Sequence, residues 1–585
     1  MVLVDEGDLS RIVDLDGARA VIGLLVAALG ERDAALAALG GRLGRLEAEN
    51  ARLRGEDLRN ALETSLGEVA RLREEQQRLR DEVARLKGEQ GKPRVLPVRG
   101  ADHSSEGERG RPARAWRKGS KAAELPVDRT VECHLGPGEL PADARLVRYL
   151  ERTVQDLVLR RDNVRIRRAQ YTSASTGRTY TAPAPAGYEG AFGPEVRTAM
   201  LYLHYETNAS QAKIRALLTS VGVSISTGTV AGVLGDQPGL AAEYEDIRRV
   251  GLASSPYQHL DATPTRLDGE EWQCRVLGGP LYVSCHTVPG KDRLAVLDVL
   301  RLGAPRSFAW NAHARAFLDA GAPLPAYARA ALAALPEGAA LGAAASSALL
   351  DAHLPGLGPQ QRGRVADAAA IGAYRAQTDV PVVETLVVDA APQFAGLTAD
   401  LALCWIHEGR HYKKLAPHLP LHRALLDAVL DAFWSYYRAL QAYRQAPDPR
   451  EAARLRRAFE ERFTCRTGYR DLDDCLRRTL ARGHPLLRAL DKPHLPLQNN
   501  PAELAVRQRV RRRTASYGAR SPAGLKTWDV LQTIIATAKQ LGVDVWAYLH
   551  DRVPGTRALP ALADLIRERT PAASPLALAT PALAA

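Results

Sequence analysis

The sequence predicts a multidomain protein with a mixed α/β core, and three observations predict it. The chain has 585 residues, long enough for several domains rather than one. Short apolar runs ending in aspartate, "YQHLD" at 257–261 and "ETLVVD" at 384–389, read as buried strands, and "EEWQCRVLGGPLYVSCHTV" from Glu270 reads as two more. Helical periodicity surrounds them, clearest in "LHRALLDAVLDAFWSYYRALQAYR" from Leu421.

Apolar residues make up 46% of the chain, so large cores are possible, and the formal net charge of +12 favours a polyanionic partner. Of 79 basic residues only 11 are lysine, so the arginine content alone says little and the place where arginines cluster says more. The six cysteines, Cys133, Cys274, Cys285, Cys404, Cys465 and Cys475, form no CxxC pair, which excludes a disulfide framework and suits a reducing compartment. The apolar run "AVIGLLVAALG" from Ala20 is too short to span a bilayer, so no membrane association is expected. A cytoplasmic protein is therefore expected.

In chain order, residues 1–92 read as an N-terminal coiled coil. Leu43, Leu46, Asn50 and Leu53 follow a 3-4-3 spacing, and after a break near Gly55 it resumes at Val69, Leu72, Gln76, Leu79, Val83 and Leu86. Asn50 and Gln76 are polar a residues, which fix register, so the segment is expected to join chains into a homodimer or higher oligomer. Residues 93–126 form a Gly-, Pro- and Ser-rich basic linker, whose "RGRP" at Arg109–Pro112 suits a narrow minor groove as well as plain solvation. Residues 127–190 read as a strand-rich segment, with Val164 and Ile166 alternating with Arg165 and Arg167. Cys133 and His134 find no second ligand pair there, so no zinc is expected. Residues 191–250 read as helix, turn at Gly222 and helix capped by Ser226 or Thr227, the outline of a helix-turn-helix. The region 251–550 holds the strands, interrupted by helical insertions at about 303–380 and 411–490, and 551–585 reads as a partly disordered tail.

Three acidic residues stand out by context: Asp261 and Asp389, each expected at a strand end, and Glu503 ahead of the arginines of "PLQNNPAELAVRQRVRRR". Carboxylates at the ends of buried strands are costly unless they meet a cation. An oxygen-only set gathered from two strands and a helix suits hard divalent ions, in pairs about 3.5–4 Å apart, that clamp a phosphodiester. Each has a plainer role. Asp261 and Asp389 can close strands as turn residues. Asn500 as N-cap, Pro501 in the first turn and Glu503 three residues after the cap make a capping-box variant. The two roles of Glu503 are compatible. Arg507 and Arg511 follow Glu503 by one and two turns on the same helix face, and Arg512 and Arg513 continue the cluster; their planar forks suit phosphate oxygens. Cys404, His407 and His411 could share one side of a helix, but as metal ligands they are an incomplete set.

The stretches "YQHLDATP", "LVVDAAPQF…LCWIHEGRHYKKL" and "LPLQNNPAELAVRQRVRRRTASYGARSPAGLKTWDVLQTIIATAKQLGVDVWAYL" resemble the motifs of IS-sixty-six-type insertion-sequence transposases, and the coiled coil, basic linker and "FGPEVRTAMLYLHYETNASQAKIRALL" match that family's layout. The resemblance implies an α/β RNase H-like catalytic core with helical insertions, preceded by the coiled coil, a small strand-rich segment and a helical DNA-binding region. It implies that Asp261, Asp389 and Glu503 are a DDE triad holding two Mg²⁺ or Mn²⁺ ions. It also implies that His407 and Arg410, in the "CWxHxxR" pattern, approach the catalytic pocket and touch DNA. The partners implied are double-stranded DNA at element ends and at the target, in a bacterial cytoplasm at the nucleoid. Many members carry a zinc ribbon, whose cysteines are missing from 127–190 here. The implied activity is DNA strand cleavage and strand transfer. The rival readings are a catalytically inactive DNA-binding protein derived from a transposase, and a coiled-coil scaffold whose charge only solvates it.

Overall fold

The computed structural model describes residues 15–52, 55–87 and 126–571, apart from 137, 138, 140, 142, 236, 336, 339, 517 and 518. The side chain of Asn50, Leu53, the basic stretch with Arg109–Pro112 and the tail from 572 therefore lie outside the described residues.

Helices α1 (Leu15–Arg52) and α2 (Glu56–Leu86) pair with each other as an antiparallel hairpin. Val21, Leu25 and Leu29 of α1 meet Leu79, Val83 and Leu86 of α2, and Arg32 pairs with Glu75 alongside. Of the heptad positions, Leu79, Val83 and Leu86 are thus covered by a helix of the same chain. Between Pro126 and Ala169 the described residues form no regular element, and the expected strand at Val164–Arg167 is absent. Strands in this segment are confined to a hairpin of β1 (Gln170–Thr172) and β2 (Thr179–Thr181). Alternation at 164–167 fails as a signal because its side chains are exposed on both sides, so nothing buries one face.

Helix α3 (Pro194–Leu201) runs into a π-helical turn at Tyr202–Glu206. Helices α4 (Gln211–Ser220) and α5 (Thr227–Gly235) flank Gly222, whose φ of +87° requires glycine, and Ser226 Oγ accepts the Thr229 N–H at 3.1 Å to cap α5. This is the expected helix–turn–helix outline. Helix α6 (Pro238–Ala253) leads into the sheet.

Strands β3 (Tyr257–Leu267), β4 (Glu270–Gly278) and β5 (Val283–Pro289) form an antiparallel meander. Asp268 and Gly269, both at positive φ, make the two-residue turn between β3 and β4 that an Asp-Gly pair favours. Helix α7 (Arg293–Leu300) follows, capped by Asp292. The first insertion then holds a two-stranded pair, β6 (Ser307–Phe308) with β7 (Leu341–Gly342). Around it lie α8 (Ala312–Asp319), α9 (Ala326–Ala333), α10 (Ala343–His353) and α11 (Pro359–Ala376), with a small core of their own around Leu318, Leu332 and Leu354.

Strands β8 (Thr385–Val388) and β9 (Asp400–Leu403) complete a five-stranded sheet of order β5-β4-β3-β8-β9, with β8 parallel to both β3 and β9. Helix α12 (Trp405–Lys413) leaves β9. The second insertion follows as α13 (Pro420–Gln445), α14 (Pro449–Phe463), α15 (Arg470–Ala481) and the short α16 (Gly483–Leu486) and α17 (Arg488–Asp491). Trp405 anchors it, its ring against Phe433, Tyr436 and Phe459. Helices α18 (Asn500–Ser516) and α19 (Pro522–Gln540) cover the other face of the sheet, burying Cys274, Val276 and Cys285 with Val506, Trp528 and Ile534. Helix α20 (Val545–Arg552) follows, and α21 (Leu562–Arg569), inside the expected tail, packs Leu562 and Ile566 into the same core. Among the described residues no helix is long and apolar enough to cross a membrane.

The N-terminal hairpin is joined to the second insertion. Asn60 Nδ2 donates to Gly468 O at 2.9 Å, and its Oδ1 accepts the Arg470 N–H at 3.0 Å. The Glu63 carboxylate accepts the backbone N–H groups of His418 and Leu419 and the His422 ring at 2.9 Å, so it caps the start of α13 from another helix.

Candidate active site

Asp261 sits in the middle of β3, not at its end as the sequence suggests. The strand continues because β4 pairs with it from His259 to Leu267, closed by the Asp-Gly turn. Asp389 directly follows β8, as expected. The parallel register aligns His259 with Val387, so Asp389, two residues on, comes level with Asp261 on the same side of the sheet. That side faces α18, because Thr263 and Thr265, next on the same face of β3, meet Arg513 and Arg509 of that helix.

The start of α18 is fixed by Asn499, which is fully buried. Its Oδ1 lies 2.8 Å from His259 Nδ1, its Nδ2 donates to Leu260 O at 2.8 Å, and its N–H donates to Cys404 Sγ at 3.3 Å. Trp405 N–H donates to Leu497 O at 2.9 Å, tying the same loop to the start of α12. One turn later the Glu503 N–H reaches back to Asn499 O at 3.2 Å, which makes Asn499 the N-cap residue in place of Asn500. The capping-box expectation is therefore corrected. The Glu503 carboxylate is one position too far along, and it turns to α12, with Oε2 3.1 Å from Arg410 Nη2 and Oε1 3.6 Å from His407 Nδ1.

The electrostatics join the three acids. Burial pushes the Asp261 carboxyl up to about 7, and the charges of Glu503 and Asp389 push the same way, against the Ala262 N–H bonded to it and against Arg410. Burial also pushes the Cys404 thiol up to about 11, with Glu503 adding to it and the N–H groups of His407, Asn499 and Ile406 opposing. His259 is lowered to about 4 by burial and stays neutral beside Asn499. Among the described residues, the ligand atoms gathered closely enough to hold a metal ion are those of Cys404, His407 and Glu503, within 4.8 Å of one another. His411 does not join them, since its charged neighbours are Glu408, Arg478, Arg482 and Lys414.

Of the expected phosphate-binding arginines, Arg507 and Arg511 are exposed on α18. Arg512 turns inward, Nη2 2.7 Å from His204 Nε2, and Arg513 donates to Pro264 O in β3. Sequence reasoning missed Arg509, which is buried, donates to Thr265 Oγ1 at 2.9 Å and stacks 4.3 Å over Trp528. It also missed Asn499 and His259. The paired asparagines of "LQNNPAE" were the one signal for Asn499, and reading only the second hid it. Arg509, Arg512, Arg513 and Arg520 line a cavity of about 650 Å³ between the helix–turn–helix, the C-terminal half of α18 and the start of α19.

A mixed sheet flanked by helices, with acids from two strands and a helix beside exposed arginines, defines a candidate nucleic-acid-processing protein. Residues 376–527, from the end of α11 into the second turn of α19, match the Transposase IS66 family, and this chain belongs to that family of transposases. The matched span contains Asp389, His407, Arg410 and Glu503; Asp261 lies upstream of it. An uncharacterized protein, y4jO, of Sinorhizobium fredii is 32% identical over 307 residues, 52% of this chain and 93% of the relative. No solved structure matches the chain.

Proposed function

We propose that the chain cleaves DNA at the ends of an insertion sequence and joins the freed strand to target DNA, with Asp261, Asp389 and Glu503 as a DDE triad. The observation that carries this reading is the parallel register of β3 with β8, which sets Asp389 level with Asp261 on the sheet face that α18 covers, where the charges of both Asp389 and Glu503 act on Asp261. The order β5-β4-β3-β8-β9, an antiparallel meander with two parallel strands added, supports reading the core as RNase H-like.

Asp261 and Asp389 would hold two divalent cations, Mg²⁺ or Mn²⁺, with Glu503 completing the ligand set of one of them. Bound there, the ions supply charge stabilisation at the reacting phosphate and an activated nucleophile. The chain's own residues do the rest. Asn499 locks the start of α18 onto β3, so Glu503 has a fixed position relative to Asp261. Arg410 and His407 hold the Glu503 side chain at the pocket, and either can move from it to a DNA phosphate. Arg507 and Arg511 present forks to the backbone of the same strand, while Arg512 and Arg513 brace α18 against the π-turn and β3. The helix–turn–helix and the basic linker would bind the terminal repeats. Holding two element ends together calls for at least two copies of the chain.

The test is a nicking assay on end-containing duplex with Mg²⁺. Cleavage by the wild-type chain, abolished in Asp389→Asn with DNA affinity retained, is expected. Binding without cleavage by the wild type returns the DNA-binding-only reading, and cleavage by Asp389→Asn removes Asp389 from the site.

A further inference from the structure

The cluster of Cys404, His407 and Glu503 is unlike the oxygen-only set beside it. Cys404 is the N-cap residue of α12, a nine-residue helix, and His407 follows one turn later on the same face. Glu503 comes from α18, held in place by Asn499. One ligand atom from each residue lies within 4.8 Å of the others. A tetrahedral zinc, with bonds of about 2.0–2.3 Å, sets its ligand atoms roughly 3.5 Å apart, so closure asks for side-chain shifts of about 1 Å.

We propose that Cys404, His407 and Glu503 form a binding site for a thiophilic divalent cation, zinc above all, separate from the Asp261–Asp389 pair but sharing Glu503 with it. One sulfur, one imidazole nitrogen and one carboxylate oxygen are the donors that select zinc over magnesium, which takes oxygen and keeps its water. Asn499 N–H donates to Cys404 Sγ at 3.3 Å and fixes its position, while burial and Glu503 favour the neutral thiol, so the ion must displace that proton on binding. The carboxylate is divided between two tasks. Oε2 is on Arg410 at 3.1 Å, and Oε1 faces His407 at 3.6 Å, so an ion can take Oε1 without breaking the pair with Arg410. A thiolate and a carboxylate balance the charge of the ion. Three protein ligands leave a fourth position for water, and the His407 side chain, 24% exposed, gives the ion a way in.

The site stands without the DDE reading, because it requires only that the ion bind. Where that reading also holds, zinc at this site draws Glu503 toward α12 and competes with the paired ions.

The test uses the full chain freed of metal with a chelator, then titrated with zinc and, separately, cobalt(II) as a spectroscopic probe. The wild type is expected to bind one zinc that depends on Cys404 and His407, and the cobalt form to show an intense sulfur-to-metal absorption band. Cys404→Ser and His407→Ala should each remove the band and weaken zinc binding by more than the roughly 10–100-fold that loss of an outer-shell partner costs. Cys133→Ser, at an exposed cysteine elsewhere, should change neither. Cys404 is buried and its variant can misfold, so the partly exposed His407→Ala decides the matter in that case. Absence of a sulfur band in the wild type, or an ion kept by His407→Ala, overturns the proposal. Asp389→Asn supplies no ligand here and should keep the zinc while losing Mg²⁺-dependent nicking, so failure of one proposal is distinguishable from failure of the other.

Discussion

Two acids, Glu63 buried and Asp261 half-buried, sit in opposite surroundings. Glu63, at the joint between the N-terminal hairpin and the second insertion, accepts from two backbone N–H groups and a buried histidine stacked 4.3 Å from Tyr469. Asp261, in the middle of the sheet, has the Ala262 N–H on one oxygen and the fields of two other acids around it. A carboxylate that holds structure is surrounded by donors. Asp261 keeps one N–H bond and feels two acids against one cation, Arg410. Burial costs both, and the protein offsets more of that cost at Glu63 than at Asp261.

The largest effect should come from removing a charge in the acidic pocket. Asp261→Asn and Asp389→Asn should each lower strand cleavage on the order of 10³-fold or more, while DNA affinity measured by gel shift stays within about threefold. Glu503→Gln should behave likewise, with unchanged circular dichroism and melting; a variant that unfolds would return Glu503 to a purely structural role.

At the other acid the expected loss is in stability. Glu63→Ala strips its bonds from the start of α13 and should cost about 2–3 kcal/mol at the joint, seen as faster hydrogen exchange and proteolysis in α2. Cleavage by that variant should fall far less than cleavage by Asp389→Asn. Equal losses would erase the distinction between the two sites.

A smaller effect sharpens the comparison through pH. The folded-state pKa of Asp261 is raised above its unfolded value, so the folded chain holds this proton where the unfolded chain has released it. Its contribution to stability is therefore greatest below about pH 4 and falls as pH rises toward about 7. In a chelator, the melting temperature of the wild type should drop across that window relative to Asp261→Asn, and Mg²⁺ or Mn²⁺ should restore it above the window. Parallel pH curves for the two proteins would contradict the assignment.

The smallest effects belong to the exposed arginines. Arg507→Gln and Arg511→Gln should each weaken DNA binding a few-fold without regard to sequence, and each should reduce the slope of log affinity against log salt by about 1. Unchanged slopes would place the DNA elsewhere on the chain.

The contrast also explains what the sequence alone could reveal. Asp389 was legible because its strand is short, apolar and ends where the acid begins. Asp261 was legible as a candidate but misplaced, since β3 continues through polar and proline residues that are held by pairing with β4 rather than by their own propensity. The helix–turn–helix outline followed from Ser226 and Gly222, both local signals. The N-terminal heptads were legible as helix, but their partner was not, because a heptad face fits α1 of the same chain as well as another molecule. Asn499, Arg509 and the link from Glu503 to Arg410 were hidden because each joins residues far apart in sequence, 93 positions in the last case. Local pattern suggested a capping box, and tertiary contacts gave Glu503 another use.

The most direct measurement is an anomalous diffraction map of the full chain crystallised with Mn²⁺ and an element-end duplex. The account predicts two manganese peaks about 3.5–4 Å apart, bounded by the carboxylates of Asp261, Asp389 and Glu503. Manganese bound only at other residues, with those three side chains turned away from it, would contradict the account.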